Sequence, residues 1–149
     1  MNDMFEALEA PTDRDPDRRD VAADVLGDVL RGAALDSDSA RLVVGRLVSV
    51  AVNEPVTKVR ESALNSTSEA FDHYRLPLAL VEPLTAAMPT MKRQLLVHTL
   101  YILGATHDPQ ARPLIEPFLH HPDPEVREEA RLAAAELTAV EQNGLTHNS

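Results

Sequence analysis

The sequence has no cysteine and no tryptophan, and aromatic residues make up only 3% of its 149 positions. Without cysteine the chain has no disulfide framework, no thiol nucleophile and no cysteine-ligated zinc site. It has only five glycines, and no β-branched runs bounded by hairpin turns, so little favours a β-sheet. Hydrophobic residues make up 44% of the chain, mostly alanine, leucine and valine, which is enough for the core of one domain. We therefore predict an all-α fold.

Membrane and export signals are scarce as well. The amino terminus lacks the basic and apolar regions of a signal peptide. The most apolar run, from Leu95 to Gly104, is broken by His98 and Thr99 and is shorter than the roughly 18 residues that a membrane span needs. We therefore expect a cytoplasmic protein without a membrane partner.

Basic residues are fewer than acidic ones, with 14 against 24. The net charge is −10, and it is uneven: residues 1–40 hold eleven acids and four bases, whereas residues 41–122 hold seven acids and eight bases. An acidic protein is repelled by nucleic-acid phosphates unless its basic residues are segregated into a patch. Nucleic acid is therefore an unlikely partner.

What the chain does have is a repeated helical unit. The segment Glu54–Ala63 aligns without gaps on His121–Ala130, and a weaker copy near Pro89 gives three arginines at intervals of 33 and 34 residues, namely Arg60, Arg93 and Arg127. In each copy a turn leads into an amphipathic helix. This period is typical of helical hairpins stacked in series. Shorter apolar helices are predicted from Leu76 to Ala87 and from Ala111 to Leu119, before the copies near Pro89 and His121, and a short first helix from Met4 to Leu8. We predict one domain over residues 1–141, with hairpins at about 1–34, 37–73, 76–105 and 109–141, and a disordered tail over 142–149.

Residues 108–137, which run from Asp108-Pro-Gln-Ala-Arg to Ala-Ala-Ala-Glu-Leu137, resemble a HEAT-like repeat, including the variant first noted in phycobiliprotein lyases. The resemblance implies a right-handed α-solenoid of about four antiparallel hairpins, and recognition of another macromolecule more often than catalysis. In that family an acid before the turn proline commonly pairs with the helix arginine. Glu54 fills this place in the second hairpin, and His121 fills it in the fourth.

The three repeat arginines have two possible roles. In a structural role each guanidinium ties its hairpin to the next through a carboxylate or carbonyl oxygen, with Glu54 as one partner. In a functional role they form a basic stripe that binds an acidic ligand or a nucleic-acid backbone. Four further cations of the middle hairpins would extend such a patch, namely Arg46, Lys58, Arg75 and Lys92. The repeat context favours the structural role.

A stripe of acids is the strongest candidate for partner binding. Its members, spaced by three, four and four residues, are Asp17, Asp20, Asp24 and Asp28. This spacing places them on one face of a helix, which we expect to be its outer face. Only the first two are explained by the helix dipole, because like charges four residues apart are unfavourable and aspartate is a poor helix former. We infer a surface kept for a basic partner, with a solubilising face as the alternative.

Catalytic and metal sites lack support. The best candidates for metal ligands are the adjacent His120 and His121, with His107 and Asp108 in the preceding interhelical turn. No Glu-x-x-His or His-x-x-x-His pair accompanies them. His98 lies among leucines and is expected to be half-buried and hydrogen-bonded. No phosphate loop or nucleophile elbow occurs. We predict no cofactor, no metal site and no enzyme activity.

The leading hypothesis is a small acidic helical-repeat protein that binds another protein with a basic surface. A sharper version makes it an inhibitor or immunity-type protein of a basic effector. The first alternative is a nucleic-acid-binding or DNA-repair-like module that uses the middle arginines. An enzyme or chromophore-attachment partner is a weaker alternative. A homodimer through the apolar third hairpin is the last, because Gln94 to Leu103 is nearly apolar all round.

Overall fold

The described part of the chain, residues 14–32 and 35–147 of a computed structural model, is helical and contains no strand. The all-α prediction is therefore confirmed. The α-helices are α1 (Pro16–Arg31), α2 (Ser37–Asn53), α3 (Thr57–His73), α4 (Glu82–Ala87), α5 (Arg93–Ala105), α6 (Arg112–Ile115) and α7 (Pro124–His147). The short first helix predicted around Met4 to Leu8 lies outside the described residues.

Two of the long helices begin as their local sequence dictates. Asp15 caps α1 by accepting a hydrogen bond from the Asp17 backbone N–H at 2.9 Å, and Pro16 occupies a position where no N–H is needed. Asp36 caps α2 by accepting from the Ser39 N–H at 2.7 Å. The carboxylate caps satisfy amide groups that have no partner inside the helix.

Two predicted helices are broken into short pieces. The segment predicted as one helix from Leu76 to Ala87 forms a 3₁₀ turn at Leu78–Leu80, then α4, then a second 3₁₀ turn at Met88–Thr90. The segment from Ala111 to Leu119 forms α6 and a 3₁₀ helix at Glu116–His120. Prolines cause both interruptions, because each removes a backbone donor and clashes with the preceding turn.

The helices lie in two rows. In the first row α1 packs on α3, α3 on α5, and α5 on α7. In the second row α2 contacts α4, and α6 packs against α5 and α7. Two helices of the second row also join first-row helices into one core, because α2 packs on α1 and α3, and α6 packs on α5 and α7. Alternate helices are therefore neighbours, as expected of hairpins stacked in series.

Small residues set the close approaches in the first row. A Cβ added at Gly104 of α5 would lie 2.8 Å from the Cα atom of Ala133 in α7. A Cβ added at Gly27 of α1 would lie 2.9 Å from the Ser66 Cβ of α3. Ser66 in turn donates a buried hydrogen bond to the Ala23 carbonyl of α1 at 2.9 Å. At Gly104 the α7 backbone leaves no room for a side chain, and at Gly27 the hydrogen-bonded Ser66 side chain fills the space.

The apolar character of α5 is explained within the chain. This helix lies between α3 and α7, and its buried residues are Leu95, Leu96, Thr99, Leu100, Ile102, Leu103 and Gly104. A helix with neighbours on several sides is apolar all round without needing a second copy. None of the described helices is long and apolar enough to cross a bilayer.

The last helix is longer than predicted. The disordered tail was expected from Gln142, but α7 continues to His147. Extending an established helix adds one backbone hydrogen bond per residue and needs no new nucleus, so weak periodicity does not end it. Residues 148 and 149 of the predicted tail lie outside the described residues.

Candidate protein-binding surface

The strongest polar contact between hairpins joins Arg19 of α1 to Glu54, which caps the carboxyl end of α2. The Arg19 Nε and Nη2 atoms donate to the two Glu54 carboxylate oxygens at 2.7 and 2.8 Å. Both side chains are largely buried, with 12% and 6% of their surface exposed. The guanidinium of Arg19 lowers the pKa of Glu54, and the Val56 N–H adds to this effect, while burial opposes it. Glu54, which was expected to pair with a repeat arginine, is bound by Arg19 and not by Arg60.

The repeat arginines make different contacts. Arg60 donates to the Ala51 carbonyl of its own hairpin at 2.7 Å. Arg127 donates to the carbonyls of its own turn, His121 at 2.9 Å and Pro122 at 3.0 Å. These two arginines therefore brace their own hairpins, contrary to the prediction that each ties one hairpin to the next.

Arg93 alone of the three reaches the next hairpin. Its Nε lies 3.6 Å from Asp123 Oδ2 and 3.8 Å from Glu125 Oε2, in the turn that leads into α7. The Arg93 side chain is 56% exposed, so these ion pairs are weak. His121 occupies in the fourth hairpin the place that Glu54 has in the second. Its Nδ1 accepts a hydrogen bond from the Asp123 N–H at 3.0 Å, as Glu54 Oε1 accepts one from the Val56 N–H at 3.1 Å. Unlike Glu54, it forms no ion pair with an arginine among the described residues.

The predicted acidic stripe lies beside α3 and is partly used within the fold. Asp17 forms an ion pair with Lys58 of α3, and Asp20 accepts a hydrogen bond from the Ser62 hydroxyl of the same helix. Asp28 pairs with Arg31 one turn further along α1. The stripe is therefore not a purely outer face, because its first two members also join α1 to α3.

A shallow depression of about 330 Å³ lies beside this stripe, and we call it the acidic groove. It runs across α1, α3 and α5 and is lined by Asp20, Asp24, Lys58, Glu61, Ser62, Asn65 and His98. Burial and the charge of Asp20 raise the pKa of Asp24, while Arg31 opposes the shift. The charged form of Asp24 is therefore disfavoured at this position of the groove.

His98 lies at the α5 side of this groove. Its side chain is half-buried, as predicted, and its Nε2 is 3.9 Å from Glu61 Oε1, beyond hydrogen-bond distance. Burial lowers the pKa of His98, and the charge of Glu61 opposes the shift. The imidazole is therefore neutral at pH 7 and adds no positive charge beside Glu61.

A second depression of about 300 Å³ lies between α3, α5 and α7. Tyr101 donates to Asp72 Oδ1 at 2.8 Å, and this hydrogen bond, with burial and the carboxylate charge, raises the pKa of Tyr101 to about 12. Leu132 is 47% exposed beside it. Burial and Glu128 raise the pKa of Glu129 in the same depression. This pocket thus combines apolar surface with a carboxylate that favours a cation.

The metal candidates do not come together. His121 binds the backbone of its own turn, and the His107 Nε2 lies 3.4 Å from Glu136 Oε1. Among the side chains described, over residues 14–32 and 35–139, no three potential metal ligands form a group.

Comparison with known proteins identifies the fold alone. No family model and no curated protein matches the chain. A crystal structure of an engineered protein from the Northeast Structural Genomics Consortium superposes with a TM-score of 0.68 at 16% identity. The match covers 92% of this chain and 63% of the engineered protein, so the chain spans less than two thirds of that structure. The likeness supports the arrangement of helices and carries no function.

Two features of this surface were missed from the sequence. Arg19 follows Pro16 by three residues, as Arg127 follows Pro124, so the register of the repeat was sufficient to find it. The pairing of Tyr101 with Asp72 joins residues 29 positions apart on different helices. No local pattern marks that contact, because it depends on how α3 and α5 pack.

Proposed function

We propose that this chain is a HEAT-like helical-repeat module that binds another protein, and that the acidic groove receives a basic part of that protein. The observation that carries the proposal is the placement of Asp20, Asp24 and Glu61 around one depression across three helices. A small cytoplasmic protein of net charge −10 with such a groove suits an inhibitor or immunity-type protein of a basic effector.

The electrostatics of the groove support a cationic partner. The pKa of Asp24 is raised because its carboxylate is partly desolvated and lies close to the charge of Asp20. A lysine or arginine placed in the groove would relieve this repulsion, and Asp24 would then titrate at a lower pH. The exposed side chain of Val21, 61% accessible between the acids of α1, offers apolar surface for the same partner.

The nucleic-acid alternative receives less support from the same contacts. A basic stripe along the middle hairpins needs Arg60 and Lys58 to be available. Arg60 instead binds the Ala51 carbonyl, and Lys58 pairs with Asp17. The groove beside Lys58 is lined by three acids and one lysine, so its net charge repels phosphate.

Affinity capture with three versions of the chain tests the proposal. The bait is the wild type, a variant with Asp24→Asn and Glu61→Gln, or a control with Glu82→Gln and Glu116→Gln. The control removes two exposed carboxylates from the second row of helices, so both variants change net charge equally. Proteins retained from a lysate of the source organism are quantified at low and moderate salt.

We expect at least one protein with a basic surface to be retained by the wild type and the control and lost from the groove variant. Its retention should fall as salt rises, because surface charges are screened. Equal retention by all three baits, or none above a bait-free resin, contradicts the proposal. Thermal unfolding of each bait checks that the variants remain folded.

A further inference from the structure

A longer groove crosses the carboxyl ends of α3 and α5. The pocket between α3, α5 and α7 and a neighbouring depression of about 700 Å³ share four lining residues, Phe71, Asp72, Ala105 and His107. The two depressions therefore adjoin each other along these four residues. We call the pair the end groove, and its two halves differ in charge.

The first half is acidic with an apolar lining. Glu129 and Glu136 border it, together with Leu132 and the Tyr101 ring. No described cation forms a salt bridge with Glu129, and its pKa is raised mainly by burial. A lysine or arginine suits this half, because its aliphatic stem covers Leu132 and its charge lies beside the carboxylates and the aromatic ring.

The second half is basic. Its basic residues are Arg41 of α2, His73 at the end of α3, and Arg75 in the following turn. Asp72, which accepts the Tyr101 hydrogen bond, lies where this half adjoins the first. Among the described residues neither Arg41 nor Arg75 takes part in a salt bridge, and both are exposed. His73, in the last turn of α3, offsets the negative end of that helix dipole when it is protonated. A carboxylate suits this half, since two guanidinium groups of this strongly acidic chain line it without partners.

We propose that the end groove binds a short linear segment of a partner protein with a lysine or arginine at one end, an apolar middle and an aspartate or glutamate at the other. The apolar middle lies over Phe71 and Ala105, which both halves share. Opposite charges at the two ends fix the direction of the segment, since the reverse direction places like charges together. The proposal rests on the proposed function in that the ligand belongs to a protein.

Selection from a displayed library of random peptides tests this inference. The immobilised targets are the wild type, an acidic-half variant with Glu129→Gln and Glu136→Gln, a basic-half variant with Arg41→Gln and Arg75→Gln, and the Glu82→Gln, Glu116→Gln control. Enriched peptides are synthesised, and their affinities for all four targets are measured by fluorescence anisotropy.

We expect the wild type and the control to enrich peptides in which a basic and an acidic residue stand at a constant separation and order. The acidic-half variant should lose the preference for the basic residue, and the basic-half variant the preference for the acidic one. Each variant should bind the wild-type peptides about two- to thirtyfold more weakly, as expected for two partly exposed charge pairs.

Three outcomes overturn the inference: no enriched peptide, enriched peptides without charge asymmetry, or affinities that neither variant changes. Peptides that match a segment of this chain also overturn it, because they assign the groove to self-association. None of these outcomes affects capture that depends on Asp24 and Glu61. Conversely, loss of that capture leaves the peptide selection valid, so the two proposals fail separately.

Discussion

Replacing Glu54 by alanine should remove a large part of the stability of the fold. The Glu54 carboxylate is 94% buried by its neighbours and holds the Arg19 guanidinium through two hydrogen bonds of 2.7 and 2.8 Å. Removing one partner of a buried ion pair costs about 3–5 kcal/mol, because the other charge stays buried without compensation. A domain of this size is commonly stable by about 5–15 kcal/mol, so the variant should unfold at a clearly lower temperature and denaturant concentration.

A double-mutant cycle separates the pair from the rest of the site. Glu54→Gln keeps an acceptor for the Val56 N–H, and Arg19→Met keeps most of the side-chain volume. Urea unfolding of the wild type, both single variants and the double variant gives the coupling energy of the pair. Directly contacting residues commonly show about 0.5–3 kcal/mol, and for this buried pair we expect more than about 1 kcal/mol. Lys58→Met is the control, since its ion pair with Asp17 is exposed and should contribute little.

The pair also has a defined pH dependence. Arg19 lowers the pKa of Glu54 below its ordinary value, so the unfolded chain binds a proton at Glu54 more readily than the folded one. The stabilisation is therefore complete above the ordinary glutamate pKa of about 4.3 and is lost as the pH falls through the lower folded pKa. The difference between wild type and Glu54→Gln should be constant near neutral pH and shrink in acid. A coupling energy near zero, or a difference that does not change in acid, refutes this reasoning.

Three further predictions concern packing and charge in the first row of helices. Gly104→Ala should lower the free energy of unfolding in urea by about 1–3 kcal/mol, because the added Cβ meets the α7 backbone. Gly45→Ala is the control and should stabilise α2, because its Cβ has no neighbour closer than 4.0 Å. Equal effects of the two substitutions would contradict the close approach of α5 and α7. Asp24→Asn should raise the midpoint of thermal unfolding slightly, since it removes like-charge repulsion worth about 0.2–0.5 kcal/mol per pair. A lower midpoint would contradict the claim that Asp24 is repelled by its acidic neighbours. Asp72→Ala should increase the ionised fraction of Tyr101 at a given alkaline pH, measured by tyrosinate absorbance, and no change excludes the hydrogen bond as the cause of its raised pKa.

The helical content and the repeat register could be predicted from the sequence because both have local signatures. Prolines and aspartates mark the start of α1 and α7, and apolar residues recur at helical spacing along each. The broken helices around Pro83 and Pro113 were missed because apolar periodicity was given more weight than proline spacing. A proline within each piece leaves room for only one turn of α-helix at a time.

The polar contacts between hairpins were much less predictable. Glu54 was expected to bind one of the three repeat arginines, whereas its partner is Arg19, 35 residues earlier. The stripe of aspartates was placed on the outside of α1, whereas Asp20 hydrogen-bonds Ser62. Helical spacing gives the face that a residue shares with others, but which neighbour covers that face depends on packing between distant segments.

The most direct test of the central claim is to map where a captured partner binds, using backbone NMR shifts of the isotope-labelled chain. We expect the largest changes around the acidic groove, at Asp20, Asp24, Glu61 and Asn65, and only small changes at Glu82 of the second row. The same map with Asp24→Asn and Glu61→Gln should show weakened changes at these positions. Changes confined to α2 and α4, with the groove unaffected, would contradict the assignment of this surface to partner binding.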